Sequence, residues 1–376
     1  MASVNSRVPG VLHFDVTIND KNEESTISML ISHIKKSWNS TDLKKKVYDS
    51  GITNRLLGFY VNNDPNTKVS AQCAALGRSD IVLVRIYGAK TELIIDRAQE
   101  LINMQELSQH GIAPPLYCTF NNGYCYKYIE GRVLEVEDMP KPAIYTLIAK
   151  KMAQLHSIKL SDHFLKNHNM ESKLFDILHR YINLIPKEFK DATKQKRYEE
   201  AVPSLESLRG EVETLSEAIS NLKNKPNISF SHNDLLIANF IHDEYQDEIY
   251  FIDHEYGCPN CSAYDIGNHF NEWAGVETVD YTLYPSKETQ LKWLQIYLDE
   301  LKTLKGISEE KTGANELENM YVVVQKFSLA SNFFWGVWGL IQAHYSEIDF
   351  DYLEYAIVRL NEYFKNKDNF LAMKEV

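Results

Sequence analysis

Phe230-Ser-His-Asn-Asp-Leu-Leu-Ile-Ala-Asn239, followed 14 positions later by Asp253 in Tyr250-Phe-Ile-Asp-His254, is the stretch on which the reading of the whole chain turns. Asp234 and Asn239 stand five residues apart. Ile249 to Ile252 is a short β-prone run, so Asp253 is expected at a strand end, its carboxylate able to point into a cleft. Phosphoryl transfer asks for this set: a carboxylate near the acceptor hydroxyl, and two further oxygen ligands to hold Mg²⁺ against nucleotide phosphates. The plainer alternative is a His-Asn-Asp turn followed by an unrelated buried aspartate. The rest of the chain has to decide between them.

Both intervals are those of the protein-kinase catalytic loop, where the metal-binding aspartate follows on the next strand. At 376 residues the chain is long enough for two lobes, each with its own core. Forty lysines and arginines against 52 aspartates and glutamates give a formal charge of -12, which disfavours a nucleic-acid partner held through its phosphates. A local basic pocket for ATP is compatible with that total. Five cysteines (Cys73, Cys118, Cys125, Cys258 and Cys261), an odd number without a secretory signal, lead us to expect reduced thiols and a cytoplasmic protein. Cys258-Pro-Asn-Cys261 has the spacing of a zinc half-site, but zinc needs two more ligands and no second such pair exists. No run of about 18 apolar residues occurs, so membrane insertion is not expected. A homodimer is left open.

Alternation from Val11 to Ile18 predicts an accessory strand ahead of the main sheet, and Ser25 is placed to cap a helix running to about Trp38. A second short helix is expected near Thr41 or Asp42. Ile52 to Val61 and Ile81 to Tyr87 read as strands, Thr91 to His110 as a helix closed by Gly111. Asn121-Asn122-Gly123 between Leu116–Phe120 and Tyr124–Ile129 predicts a hairpin, because Asn and Gly tolerate positive φ. Beyond Glu130-Gly131 the chain turns helical, with helices over Ala143–Ile158, Leu174–Ile185 and Val202–Leu222, and a charged, solvated or mobile stretch around Lys187 to Glu200. The expected division is an extension over 1–24, a nucleotide-binding lobe over 25–129 and a catalytic lobe over 130–376.

Asp49-Ser-Gly-Ile-Thr-Asn54 is a small polar turn that can present backbone N–H groups and the Thr53 and Asn54 side chains to phosphate oxygens. It matches neither dinucleotide nor Walker glycine patterns, and alone it would be an ordinary turn. Arg85 ends Val82-Leu-Val-Arg85 where a protein kinase carries its strand lysine, and its planar fork suits phosphate oxygens. Glu100, on the following helix, is expected to hold that guanidinium. Taken singly, each would more often be a surface charge.

Several ordered blocks resemble one family, the choline/ethanolamine kinases, and more closely their ethanolamine branch. They are Gly51-Ile-Thr-Asn-Arg-Leu-Leu-Gly58, Val82-Leu-Val-Arg-Ile-Tyr-Gly88, Gly111-Ile-Ala-Pro-Pro-Leu-Tyr-Cys-Thr-Phe-Asn-Asn-Gly123, His232-Asn-Asp-Leu-Leu, Tyr264-Asp-Ile-Gly-Asn-His-Phe-Asn-Glu-Trp273 and Phe333-Phe-Trp-Gly-Val-Trp338. The resemblance implies an α+β, bilobal protein-kinase-like fold and ATP-dependent, Mg²⁺-assisted phosphorylation of an amino alcohol, the first step of phosphatidylethanolamine synthesis. It implies Asp234 as the base, Asn239 and Asp253 as metal ligands, and Arg85 with Glu100 as the pair that places the phosphates. Ser50, Gly51, Thr53 and Asn54 would meet the phosphates, and the hinge from Tyr126 to Ile129, including Lys127 and Ile129, would meet the adenine through backbone groups. Asp265 looks structural. His254, where relatives usually carry Phe or Tyr, and Lys127, where they often have Glu or Gln, depart from the pattern.

Trp335, Trp338, Phe350, Tyr352 and Tyr355 crowd one late segment. Such a stripe is as often core as pocket, but the resemblance implies that Trp335, Trp338 and Tyr355 line an amine site. Ring faces attract ammonium groups by roughly 0.5 to 2 kcal/mol each. A primary ammonium also needs acceptors, for which Glu272, Glu255 and Tyr256 are candidates. Rival readings are a choline or dual-specificity kinase, an aminoglycoside phosphotransferase, a protein kinase (without the Asp-Phe-Gly and Ala-Pro-Glu signatures), a kinase-like binding protein and a helical scaffold.

Overall fold

The computed structural model describes residues 8–39, 42–48, 54–61, 80–88, 96–167, 169–224, 227–307, 311–346 and 348–376. They divide into two units, one drawn from Met1–Arg132 with Tyr250–Tyr256, the other from Val133–Ile249 with Gly257–Val376. Ser50, Gly51, Thr53 and Cys73 lie outside the described residues.

The first unit is built on a six-stranded sheet. Its strands are, in spatial order, β1 (Leu12–Phe14), β5 (Leu116–Phe120), β6 (Gly123–Lys127), β4 (Val82–Tyr87), β3 (Asn54–Val61) and β2 (Leu43–Tyr48), and all pairs are antiparallel except β1 with β5. β4 is central, with Val82 and Val84 fully buried, and Ile27, Leu30 and Ile31 of helix α1 (Glu23–Ile34) join them in one core. That helix starts at Asn22, not at Ser25.

Four expectations change here. The accessory strand is a short edge of the main sheet that ends at Phe14, where the Val16 N–H turns back onto the Phe14 carbonyl at 2.8 Å; further on, the Asn122 side chain clamps both backbone groups of Ile18 at 2.9 and 2.8 Å. The short helix expected to begin near Thr41 or Asp42 does not continue past Asp42, whose N–H closes a turn on the Asn39 carbonyl at 3.0 Å; from Leu43 the chain is strand β2. Leu43-Lys-Lys-Lys-Val-Tyr48 lacks an apolar helical stripe, and its exposed Lys44, Lys45 and Lys46 suit a sheet edge. The hairpin forms at Asn121-Asn122, yet neither Asn122 nor Gly123 has positive φ. Glycine is required at 123 for a different reason: a Cβ there would lie 2.1 Å from the Arg85 carbonyl oxygen. Helix α2 (Arg97–Gln109) begins six residues later than Thr91, where the Asp96 carboxylate accepts from the Ala98 and Gln99 amides, and the chain leaves it through Gly111 at φ 68.

The second unit is mostly helical. Helix α3 (Pro142–Ser157) has Pro142 at its first turn, and α4 (Asp162–Asn167), α5 (Leu174–Leu184), α6 (Ala192–Ala201) and α7 (Leu205–Ser220) follow. The charged stretch expected as a solvated or mobile segment contains α6, capped by Asp191 and tied by Arg197 to Asp351 and Glu354 at 2.8 and 2.7 Å. It buries no residue, so apolar periodicity could not reveal it. The two-residue strand β7 (Arg132–Val133) comes first in sequence; strands β8 (Ile228–Ser231) and β11 (Cys258–Cys261) pair antiparallel, β9 (Phe240–Asp243) and β10 (Glu248–Phe251) lie between them in sequence, and the unit closes with α8 (Ser262–Glu272), α9 (Lys287–Leu304), α10 (Ala314–Tyr345) and α11 (Tyr352–Ala372). Every residue of α8 is buried. It packs so closely on α10 that a Cβ at Gly267 would come within 2.6 Å of the Ser328 amide nitrogen. Among the described residues no helix is long and apolar enough to cross a membrane.

Candidate active site

In the second unit the loop after β8 carries Asp234. Asn233, just before it, sits at φ 65, a left-handed conformation that asparagine tolerates but that must be held in place. Asp265 of α8 does the holding. Its two carboxylate oxygens each accept a backbone N–H at 2.7 Å, from His232 and Asn233, and its Oδ2 is 3.1 Å from His156 Nε2. Three residues along the same helix face, Asn268 Oδ1 accepts the Leu235 N–H at 2.8 Å. Asn239 donates its amide to the Asp234 carbonyl at 2.8 Å and to the Asp234 carboxylate at 3.2 Å, so base candidate and ligand candidate are joined inside one turn.

Cys258-Pro-Asn-Cys261 is the strand paired with β8, and residues three apart on a strand point to opposite faces. Burial pushes both thiols up to about 12, and Asn260 uses its side chain to donate to Asn233 Oδ1 at 2.8 Å. The motif supports the loop.

One turn beyond Asn268 on α8 stands Glu272, whose carboxylate pairs with the fully buried Arg359 guanidinium of α11. Arg359 lies 5.4 Å from the Tyr355 ring centroid. Trp335 and Trp338 meet edge to face at 5.3 Å, and Trp338 meets Tyr355 at 6.2 Å, with Phe350 and Tyr352 beside them. All three of the expected rings are therefore one cluster. The Tyr355 hydroxyl is raised well above its ordinary pKa, first by burial, then against Arg359 by the charges of Glu272 and, with Tyr281, Asp234.

The first unit holds a network of five buried or half-buried charges. Arg85 Nη2 donates to Asp253 Oδ1 at 2.7 Å and to Glu255 Oε2 at 2.9 Å. Glu100, expected as the close partner of Arg85, comes no nearer than 3.9 Å to it, because its oxygens take the Tyr124 hydroxyl at 2.8 Å and Arg97 at 2.9 Å. Arg97 was not singled out from the sequence. It also donates to Glu255 at 2.8 Å and to Asn54 Oδ1 at 3.1 Å. Glu255 and Tyr256, weighed as ammonium acceptors, belong to this unit, and Glu255 is committed to two guanidinium groups. Burial, then the neighbouring Asp253 charge, pushes the Glu255 carboxyl up to about 7. His254 is buried, with Nε2 3.2 Å from the Phe251 carbonyl. Ligand oxygens of Glu100, Asp253 and Glu255 lie within 4.8 Å of one another, a hard-oxygen set of the kind Mg²⁺ prefers. In the hinge, the Lys127 side chain is exposed, while the Lys127 and Tyr128 amides donate to the Pro115 and Ile81 carbonyls at 3.1 and 3.3 Å.

A model of the choline/ethanolamine kinase family matches residues 46–364. Human ethanolamine kinase 1 is 43% identical over 370 residues, 97% of this chain and 77% of that protein. Among solved structures, the ethanolamine kinase of Plasmodium vivax is 28% identical with a TM-score of 0.75, covering 93% of this chain and 89% of that one. The choline kinase of Cryptosporidium parvum, 23% identical with a TM-score of 0.73 over 93% of this chain and 96% of that one, shares the fold. The sheet-and-helix architecture described above is that kinase-like fold, and the chain belongs to the choline/ethanolamine kinase family.

Proposed function

We propose that the chain transfers the γ-phosphoryl group of ATP to the hydroxyl of ethanolamine, giving phosphoethanolamine for phosphatidylethanolamine synthesis by the cytidine-nucleotide route. The observation that carries this reading is that one helix, α8, holds the Asp234 loop through Asp265 and Asn268 and, one turn further on, sets Glu272 against Arg359 beside Tyr355. A proton acceptor and a carboxylate beside an aromatic cluster are thereby built off the same helix. The Trp335, Trp338 and Tyr355 faces attract the ammonium group, and Glu272, oriented by Arg359, accepts its N–H donors. Asp234 takes the hydroxyl proton as the oxygen attacks phosphorus. Arg85 carries positive charge to the phosphates when it exchanges Asp253 for them. Ser50, Gly51, Thr53 and Asn54 contribute donors to the phosphates, and the hinge at Lys127 and Ile129 lies against the adenine.

Asn239 and Asp253 would hold Mg²⁺, which when bound supplies charge neutralisation on the phosphates. The hard-oxygen set around Asp253 fits that ion. ATP consumption by the purified chain with Mg²⁺ and ethanolamine, choline, N-methylated ethanolamines or serine tests the reading. Ethanolamine should give the highest kcat/KM. A cluster this aromatic also suits a quaternary ammonium, and preferred turnover of choline would move the assignment to choline kinase. Absence of turnover with every amine would refute the enzymatic reading.

A further inference from the structure

Two arginines share the first unit's carboxylates, and their surroundings differ in a way that separates their tasks. Arg85 touches Asp253, the most exposed acid of the cluster, with 26% of its side chain accessible. Arg97 touches two buried acids, Glu100 and Glu255, at 1% and 4%. Its guanidinium lies 4.6 Å from the Tyr87 ring centroid, and its other donor reaches Asn54, the first residue of β3. Arg97 is also the first residue of α2, where the positive end of the helix dipole disfavours a cation, so helix formation does not account for its presence.

We propose that Arg97 is a positioning residue that permanently compensates Glu255 and Glu100, leaving Arg85 free to pass from Asp253 to nucleotide phosphates. Glu255 Oε2 accepts from Arg85 at 2.9 Å and from Arg97 at 2.8 Å. When Arg85 turns to a phosphate, Glu255 loses that guanidinium and keeps Arg97. Without Arg97, departure of Arg85 would take both of these guanidinium groups from Glu255 and the close one from Glu100, a loss of buried positive charge that low-dielectric surroundings penalise heavily. Arg85 would stay with its acids instead. The inference rests on the reading of Arg85 as the phosphate-binding arginine.

Calorimetric titration with a non-hydrolysable ATP analogue and Mg²⁺, beside steady-state kinetics, tests it on wild type, Arg97→Lys, Arg97→Met and Arg97→Met/Glu255→Gln. Arg97→Met should weaken analogue binding and raise the KM for ATP about tenfold while the KM for ethanolamine stays within about twofold. Arg97→Lys should fall between the two. Neutralising Glu255 in the double variant should recover at least about threefold of the lost affinity, because Arg85 is released. Wild-type affinity in Arg97→Met, or a double variant no tighter than the single, overturns the proposal. If Arg97→Met does not fold, the lysine and double variants decide it: both binding as wild type, or both showing equal losses for ATP and ethanolamine, overturns it. Failure of the wild-type chain to bind the analogue would instead refute the phosphate-site reading of Arg85.

Discussion

Asp265→Asn isolates the contribution of α8 to the loop that carries Asp234. The aspartate accepts the His232 and Asn233 amides on separate oxygens at 2.7 Å each, and His156 at 3.1 Å on the oxygen that serves His232. Asparagine offers one oxygen and one NH₂, so one amide must face a donor. A hydrogen bond to a charged acceptor contributes about 1.5 to 3 kcal/mol, and a buried N–H left unpaired costs about 1 to 3 kcal/mol. The expected loss of unfolding free energy is therefore about 3 to 5 kcal/mol, measured by urea denaturation at 25 °C. Releasing Asn233 from φ 65 also moves Asp234, and misplacement of a reacting group by about 1 Å lowers turnover by about 100-fold. An Asp265→Asn protein within about 1 kcal/mol of wild type and with comparable kcat would refute this account of the loop.

Gly267→Ala should cost about 2 to 3 kcal/mol in thermal or chemical unfolding, since the new Cβ meets the Ser328 backbone at 2.6 Å and neither helix can yield without moving the other; an unchanged melting temperature would contradict this. His269 is fully buried, accepts from Trp273 Nε1 at 3.2 Å and is held at about 3 by burial, below its ordinary 6.5. The unfolded chain takes up this proton first, so the stabilisation is complete above pH 6.5 and drains as pH falls toward 3, by on the order of 4 to 5 kcal/mol in all. His269→Gln should flatten the stability profile across that window, and an identical slope in both proteins would disprove the assignment.

The central strands β3 and β4 and helices α3, α5 and α7 were legible because each repeats one apolar period over enough residues to stand out, and the hairpin was legible from its Asn-Asn-Gly turn. β2 was not, because its pairing with β3 decides its conformation and Lys44-Lys-Lys46 hides the alternation. Gly123 gave the right turn for the wrong reason: the sequence shows a glycine, while the Arg85 carbonyl that demands it becomes visible only when β4 lies beside β6. Fixed local spacing picked out Asp234 and Asn239, which meet in one turn, and the three-residue interval of Trp335 and Trp338, which meet edge to face. The partners of charge were not. Arg85 and Glu100 are both in the network, but Arg97, one helical turn from Glu100, takes the short contact, and nothing in linear order ranks one arginine above another. A cation at the first position of a helix was the one available signal. Glu272 pairs with Arg359, 87 residues away, beyond any local rule.

The role of Asp234 is the claim on which the account rests, and Asp234→Asn tests it most directly when kcat for ATP and ethanolamine is measured beside the affinity for a non-hydrolysable ATP analogue with Mg²⁺. Loss of a positioned general base should lower kcat by roughly 100- to 10,000-fold, with analogue affinity within about threefold of wild type. Turnover close to wild type would contradict the account.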